Sequence, residues 1–172
     1  MFFCCKCLCR LSIIDYLCAM KFDTTLNLPP CECRVRTTAE GVEEIFDSQR
    51  NKYVRLTPEE WVRQHFVAYL INNCGFPKGR IGNEVHIKVG LTEKRCDSVV
   101  FDETGKAKVI VEYKASSVAI SRKVFEQIAR YNLALQVEYL IVSNGLTTYC
   151  CHLNRSLGHF EFLPAIPRYS DL

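Results

Sequence analysis

The sequence has few extreme features, and each absence narrows the class of protein. Its 172 residues contain no low-complexity tract and no internal repeat, which excludes a solenoid, a fibrous protein or a largely disordered chain. The formal net charge is only +3 and the pI is near 8.3, so phosphate contacts are permitted but not demanded. With 48% hydrophobic and 24% charged residues, the chain is typical of one folded domain with its own core.

Long apolar runs are also missing. The opening segment is interrupted by Lys6, Arg10 and Asp15, so it cannot form a signal-peptide core and is too short to span a bilayer. No membrane partner is therefore predicted. Because Met20 begins a more ordinary sequence, residues 1–19 are interpreted as a poorly ordered extension or the product of an upstream start codon.

Eleven cysteines are present, but their spacing does not indicate a zinc site. Cys4 and Cys7 form one C-x-x-C pair, no second pair follows at ribbon spacing, and the four histidines are not clustered. Cys31 and Cys33 are judged too close together. Several other cysteines stand in apolar runs, where a free thiol acts as a small hydrophobe, so a reducing compartment, the cytoplasm, is predicted.

The remaining sequence is predicted to form a peripheral segment at 20–55, with a hairpin, and a core with a C-terminal tail at 56–172. Thr57 can cap a helix, Pro58 suits its first position, and Glu60 stands three residues after the cap. A second helix is predicted at about 121–136, and strands at 83–89, 95–101, 108–114, 138–143 and 147–153. The strand containing YLIVS needs cover on both faces, which predicts a mixed α/β fold.

Charged residues occupy strand positions that are usually apolar. Glu112 and Lys114 lie two apart and share one face of a strand, and a hairpin with the preceding strand would bring Asp97 close to both. Two carboxylates in a half-buried place repel each other unless a cation or the lysine compensates them. Oxygen donors suit a hard ion such as Mg²⁺. The alternative is a surface salt bridge across an exposed hairpin.

These residues resemble a known family. Asp97, the hairpin turn and Glu112-Tyr113-Lys114 are similar to the signature of PD-(D/E)XK nucleases, in particular the N-terminal nuclease domain of type I restriction enzyme R subunits. The resemblance covers roughly residues 50–153 and includes segments 58–64 (PEEWVRQ), 94–97 (KRCD) and 127–131 (QIARY), and Glu84. The proline of the signature is Cys96 here. No P-loop or helicase motif occurs, so the translocation of full R subunits cannot reside in this chain.

The resemblance implies a restriction-endonuclease-like core, a central mixed β-sheet flanked by helices, and a Mg²⁺-dependent DNA endonuclease in which Mn²⁺ can substitute. It implies that Asp97 and Glu112 hold the metal, with the carbonyl of Tyr113 as a further ligand. Lys114 would orient the attacking water or stabilise negative charge on phosphorus. Glu60 could add a carboxylate to the catalytic set, although its capping position explains it without catalysis.

Further expectations concern partners. Gln127 and Tyr131 are one helical turn apart and could reach a phosphate or nucleotide, unless Tyr131 only packs on the sheet. Glu84 could extend the acidic cluster or be simply exposed. The implied partners are DNA and either other restriction-modification subunits or a second copy in a homodimer. Two alternatives to the enzyme stay open: an inactive nucleic-acid-binding or assembly module on the same fold, and a structural domain whose charged hairpin meets a protein.

Overall fold

The structure is a computed structural model that describes residues 24–89, 91–133 and 137–172. The predicted extension at 1–19 lies outside these residues. The described part contains two β-sheets and two α-helices, with a 3-10 turn at Lys78–Arg80 and another at Tyr169–Asp171. Among the described residues, no helix is long and apolar enough to cross a membrane.

The first sheet is small and antiparallel. It contains β1 (Val35–Thr37), β2 (Glu43–Asp47) and β3 (Lys52–Arg55), in the order β1-β2-β3. The predicted peripheral hairpin corresponds to β2 and β3, and β1 adds a third strand to it. Side chains alternate along β2, so Ile45 and Asp47 are buried while their neighbours are more accessible.

Helix α1 (Pro58–Asn72) begins as predicted. The hydroxyl of Thr57 accepts a hydrogen bond from the N–H of Glu60 at 3.0 Å, and Pro58 takes the first helical position. The chain leaves the helix through Asn73 and Gly75, whose φ of 74° is in the left-handed region that glycine adopts without strain.

The second sheet has six strands in chain order. They are β4 (Ile81–Val89), β5 (Thr92–Phe101), β6 (Ala107–Tyr113), β7 (Tyr139–Ser143), β8 (Thr148–Asn154) and β9 (His159–Leu163). All neighbouring strands are antiparallel except β6 and β7, which are parallel and are joined through helix α2 (Arg122–Leu133). A parallel pair requires such a crossover. The predicted mixed α/β architecture is confirmed.

The two helices lie against the two faces of this sheet. On one face, Val62 and Phe66 of α1 pack with Val109, Val111 and Ile141. On the other face, Phe125 and Ala129 of α2 pack with Ile110, Leu140 and Val142. The YLIVS strand therefore sends alternate side chains into two apolar clusters, which explains why all its central residues are apolar.

Strand β9 was not predicted. It pairs antiparallel with β8 after the turn at 155–158, where Gly158 has a φ of 66°. Its sequence, HFEFL, alternates apolar and polar residues and is bounded by turn-forming residues, so the signal for an edge strand was present in the predicted tail. The sheet is one strand wider than the sequence indicated.

Candidate active site

Strands β4 and β5 both depart from regular geometry at the same level of the sheet. Asn83 pairs with Ser98 and Val85 with Cys96, which leaves Glu84 opposite Asp97. Glu84 has a φ of 57°, in the left-handed region that non-glycine residues rarely adopt. Left-handed non-glycine residues collect at functional sites, where the surrounding structure holds them in place.

The side-chain alternation of β5 also breaks here. Cys96 and Val99 both belong to the apolar cluster on the α2 face, although strict alternation would place residues three apart on opposite faces. Ser98 contacts Tyr113, a member of the α1-side cluster, and so follows the regular pattern. The alternation therefore changes between Cys96 and Ser98, around Asp97.

The carboxylate of Asp97 lies against the neighbouring strand. Backbone pairing between β5 and β6 ends at Ser98 and Val111, and beyond it the N–H of Tyr113 donates to Oδ2 of Asp97 at 2.9 Å. This N–H lies between Glu112 and Lys114. The structure therefore brings Asp97 next to the Glu112-Tyr113-Lys114 segment, as the hairpin predicted.

Glu59, at the start of α1, faces this acidic region. Desolvation by surrounding side chains raises the pKa of its carboxyl, the negative charges of Asp97 and Glu84 raise it further, and Lys114 and Arg63 act in the opposite direction. Glu59 nevertheless remains exposed on its outer side. The helix therefore brings a solvent-accessible carboxylate within electrostatic range of Asp97 and Lys114.

Glu60 points elsewhere. Its Oε1 accepts a hydrogen bond from Gln64 at 2.7 Å, and its Oε2 forms an ion pair with Arg63 and lies 3.8 Å from Nη2 of Arg50. These contacts join α1 to the turn after β2. Consecutive residues on a helix differ by about 100° in direction, so Glu59 and Glu60 leave α1 on different sides. The predicted catalytic role of Glu60 stays a prediction, and Glu59 is the nearer candidate.

A buried polar chain supports the strands behind the site. The hydroxyl of Tyr113 donates to Ser98 at 3.2 Å, Ser98 donates to Asn83 at 2.6 Å, and the amide of Asn83 donates to Asp47 at 3.3 Å. Burial raises the pKa of Tyr113, so its hydroxyl keeps its proton and serves as a donor. Because Asp47 belongs to β2, this chain of hydrogen bonds connects the small sheet to β6, which carries Glu112 and ends just before Lys114.

Helix α2 carries the other predicted contacts. Gln127 and Tyr131 lie within its span, on a helix anchored to the sheet through Phe125 and Ala129. The side chains of Gln127 and Tyr131 are outside the described residues, so their proposed contacts with a phosphate or nucleotide stay predictions.

A family of known proteins matches most of the chain described above. The type I restriction enzyme R protein N terminus family matches residues 58–167, which is more than half of the sequence. The chain belongs to this family. No curated protein matches it. The match begins with the first residue of α1 and therefore excludes the three-stranded sheet.

The sequence assigned the possible catalytic carboxylate of α1 to Glu60 and left Glu84 either as part of the acidic cluster or as simply exposed. The signal that separates Glu59 from Glu60 is helical direction. Glu59 stands three positions before Val62 and seven before Phe66, on the side of α1 that packs on the sheet, and Glu60 is turned away from that side by about 100°. Glu84 forms an ion pair with Arg95 and contributes to the field at Glu59.

Proposed function

We propose that this domain is a metal-dependent nuclease that hydrolyses phosphodiester bonds in DNA. The observation that carries the proposal is the 2.9 Å hydrogen bond from the Tyr113 N–H to Asp97, which holds one acid beside the Glu112-Tyr113-Lys114 segment. Membership of the restriction enzyme R protein family supports the same chemistry. Together they favour a reaction at phosphorus over a purely structural hairpin.

The donor set fits a hard divalent cation. Glu59, Asp97 and Glu112 supply carboxylate oxygens, the Tyr113 carbonyl supplies a neutral oxygen, and such ligands suit Mg²⁺, with Mn²⁺ as a substitute. Desolvation and the charges of Asp97 and Glu84 raise the pKa of Glu59, and a bound cation would relieve the repulsion between these carboxylates. When bound, a divalent cation lowers the pKa of a coordinated water and offsets charge on the phosphate.

The remaining residues have roles that follow from their chemistry. Lys114 provides a positive charge close to the carboxylates and would orient the attacking water or stabilise negative charge on phosphorus. Glu59 takes the role first predicted for Glu60. Gln127 and Tyr131 would hold a phosphate or a nucleotide beside the site. The proposal includes the predicted partners, which are other restriction-modification subunits or a second copy of the chain. It also includes the predicted location of the protein in the cytoplasm.

The test is DNA cleavage by the purified full chain. Supercoiled plasmid and linear duplex are incubated with Mg²⁺, Mn²⁺ or a chelator, and Asp97→Asn and Lys114→Ala are compared with wild type. We expect metal-dependent nicking that each variant lowers by at least about 100-fold, with unchanged circular dichroism. Equal cleavage by all three proteins would refute the proposal. DNA binding without metal-dependent cleavage would favour the inactive binding module.

Substitution of the two neighbouring glutamates of α1 tests which of them acts in cleavage. Glu59→Gln should lower the cleavage rate and leave Tm nearly unchanged, because Glu59 is exposed and faces the site. Glu60→Gln should lower Tm more than the cleavage rate, because it weakens the contact with buried Arg63. The reverse result would return the role to Glu60.

A further inference from the structure

Three side chains with soft or borderline metal-binding atoms meet at the junction of the small sheet and α1. The Sγ atoms of Cys31 and Cys33 are 3.3 Å apart, and Sγ of Cys33 is 3.9 Å from Nε2 of His65. All three atoms lie within 4.8 Å of one another. Cys33 and His65 are 32 positions apart in sequence, so the tertiary fold creates this Cys–His cluster.

The spacing of these atoms is close to that of a tetrahedral zinc site. Zn–S bonds of about 2.3 Å and Zn–N bonds of about 2.0 Å at tetrahedral angles place two sulfurs about 3.8 Å apart and a sulfur and a nitrogen about 3.6 Å apart. The two distances between Cys31, Cys33 and His65 differ from these values by about half an ångström or less. Small side-chain adjustments would complete the coordination geometry.

A hydrogen bond at Nδ1 of His65 fixes the orientation of the other ring nitrogen, Nε2. Nδ1 lies 2.9 Å from the backbone carbonyl of Trp61, and a carbonyl can only accept a hydrogen bond. In the neutral ring, the proton is therefore on Nδ1 and the lone pair of Nε2 faces Cys33. A hydrogen bond from the far ring nitrogen to a carbonyl is the usual support of a metal-bound histidine.

The surroundings differ from those of ordinary core cysteines. His65 is 8% exposed, and its ring packs on Trp61 with centroids 4.1 Å apart, so it has little freedom to turn away. Cys31 and Cys33 are only partly buried, whereas Cys150 and Cys151 lie inside the apolar clusters. Cys31 and Cys33 also line a pocket of about 270 Å³, which gives water access to a fourth coordination position.

We propose that Cys31, Cys33 and His65 bind a zinc ion, with water as the fourth ligand, and that this ion fastens the three-stranded sheet to α1. Described strands of the small sheet pair only with one another, so their attachment to the rest of the domain depends on side chains. Sulfur and imidazole donors suit Zn²⁺ and not Mg²⁺, so this site is chemically distinct from the oxygen donors around Asp97. Zinc binding here would stabilise the position of α1.

Five further cysteines near the N-terminus could also bind metal, and they are removed first in the test. The parent protein is the full chain with serine at these positions, which are Cys4, Cys5, Cys7, Cys9 and Cys18. We expect one zinc ion per purified parent chain by elemental analysis. Cobalt in its place should give sulfur-to-cobalt charge-transfer absorption and the intense visible bands of tetrahedral coordination.

Variants then identify the ligands. Cys33→Ser and His65→Gln should each weaken zinc affinity by more than about tenfold and abolish the rise in Tm that zinc gives the parent. Cys74→Ser, which alters a cysteine just after the other end of α1, is the matched control and should retain both properties. Zinc content that is equal in the parent, Cys33→Ser and His65→Gln would overturn the proposal.

A second measurement does not depend on whether the variants at the zinc ligands fold. Cys31 and Cys33 of the parent are alkylated under native conditions before and after treatment with a chelator, and the modified residues are identified by mass spectrometry. We expect both thiols to be protected until the metal is removed. Equal labelling in the two samples, or a Cys31–Cys33 disulfide in protein purified anaerobically, would refute the proposal.

Discussion

The two sheets of this protein are attached to the helices by different kinds of contact. The six-stranded sheet lies between two apolar clusters formed with α1 and α2, and it falls within the segment matched by the restriction enzyme R protein family. The three-stranded sheet lies outside that match, and among the described residues it shares with the helix a small apolar cluster built on Ile45, Leu56 and Trp61. Its other anchors are charged and polar.

Acidic residues therefore have different roles in the two regions. In the large sheet, Asp97 lies opposite the left-handed Glu84 and within electrostatic range of the exposed Glu59. In the small sheet, Asp47 is fully buried, lies 2.6 Å from Nε of Arg50 and 3.4 Å from Nη1 of Arg63, and has its negative charge compensated. The comparison teaches that the surroundings of a carboxylate, and not its type, separate a structural acid from a candidate catalytic one.

The largest effect on stability is expected at Asp47. Replacing it with alanine leaves Arg63, which is 4% exposed, without one of its two described carboxylate partners and should lower the free energy of unfolding by about 3–5 kcal/mol. Chemical denaturation followed by tryptophan fluorescence measures this change, because Trp61 is the single tryptophan and packs in the same cluster.

Glu44 on the same strand provides the matched control. It pairs with Arg36, whose side chain is 54% exposed, so Glu44→Ala should cost only about 0–1 kcal/mol. Similar losses for Asp47→Ala and Glu44→Ala would show that the buried ion pairs do not anchor the small sheet.

A smaller effect is expected where the backbone is left-handed. At Glu84, with a φ of 57°, glycine should be more stable than alanine by about 1–2 kcal/mol, because only the alanine retains a Cβ. Asn51, with a φ of 51° in the turn of the small sheet, should gain only a few tenths of a kcal/mol from glycine, because asparagine tolerates this conformation. Thermal unfolding measures both stability differences, with Glu84→Gly compared to Glu84→Ala and Asn51→Gly compared to wild type. Equal stability of the two Glu84 variants would mean that this residue is not strained.

The smallest effect is the pH dependence of stability. Its sign should differ between Asp47 in the small sheet and Glu59 beside the large sheet. Burial acts to raise the pKa of Asp47, but hydrogen bonds and the charge of Arg50 outweigh it and lower the pKa. The stability that Asp47 contributes is therefore present above the pKa of an unfolded aspartate and lost as pH falls through its lowered folded pKa. The stability gap between wild type and Asp47→Asn should narrow in acid.

Glu59 behaves in the opposite way. Its folded pKa is raised, so the folded state holds the carboxyl proton more tightly than the unfolded chain, and stability is lost as pH rises through the folded pKa. Glu59→Gln should be at least as stable as wild type at neutral pH, and the difference should vanish below the ordinary glutamate range. Because Glu59 is exposed, added salt should reduce the effect. A wild type that is more stable than Glu59→Gln at neutral pH would contradict the raised pKa.

Local patterns in the sequence predicted much of the fold. Thr57 and Pro58 predicted the start of α1, and the apolar run at 139–143 predicted a strand covered on both faces, because capping and side-chain alternation are properties of neighbouring residues. Strand β9 carried the same kind of signal in weaker form. The spacing of Asp97 and the Glu112-Tyr113-Lys114 segment across one hairpin was enough to predict that Asp97 lies against this segment, because a hairpin is a local structure.

The sequence by itself determined the helices, most strands of the large sheet and the family, since each rests on short-range pattern or on a motif. Only the tertiary structure brought Glu59 within electrostatic range of Asp97 and gave Glu60 an ion pair with buried Arg63, because these surroundings depend on how α1 docks. It alone placed His65 beside Cys31 and Cys33, although the sequence had argued against a metal there. Contacts between distant segments depend on how the elements pack, and no spacing along the chain specifies that packing.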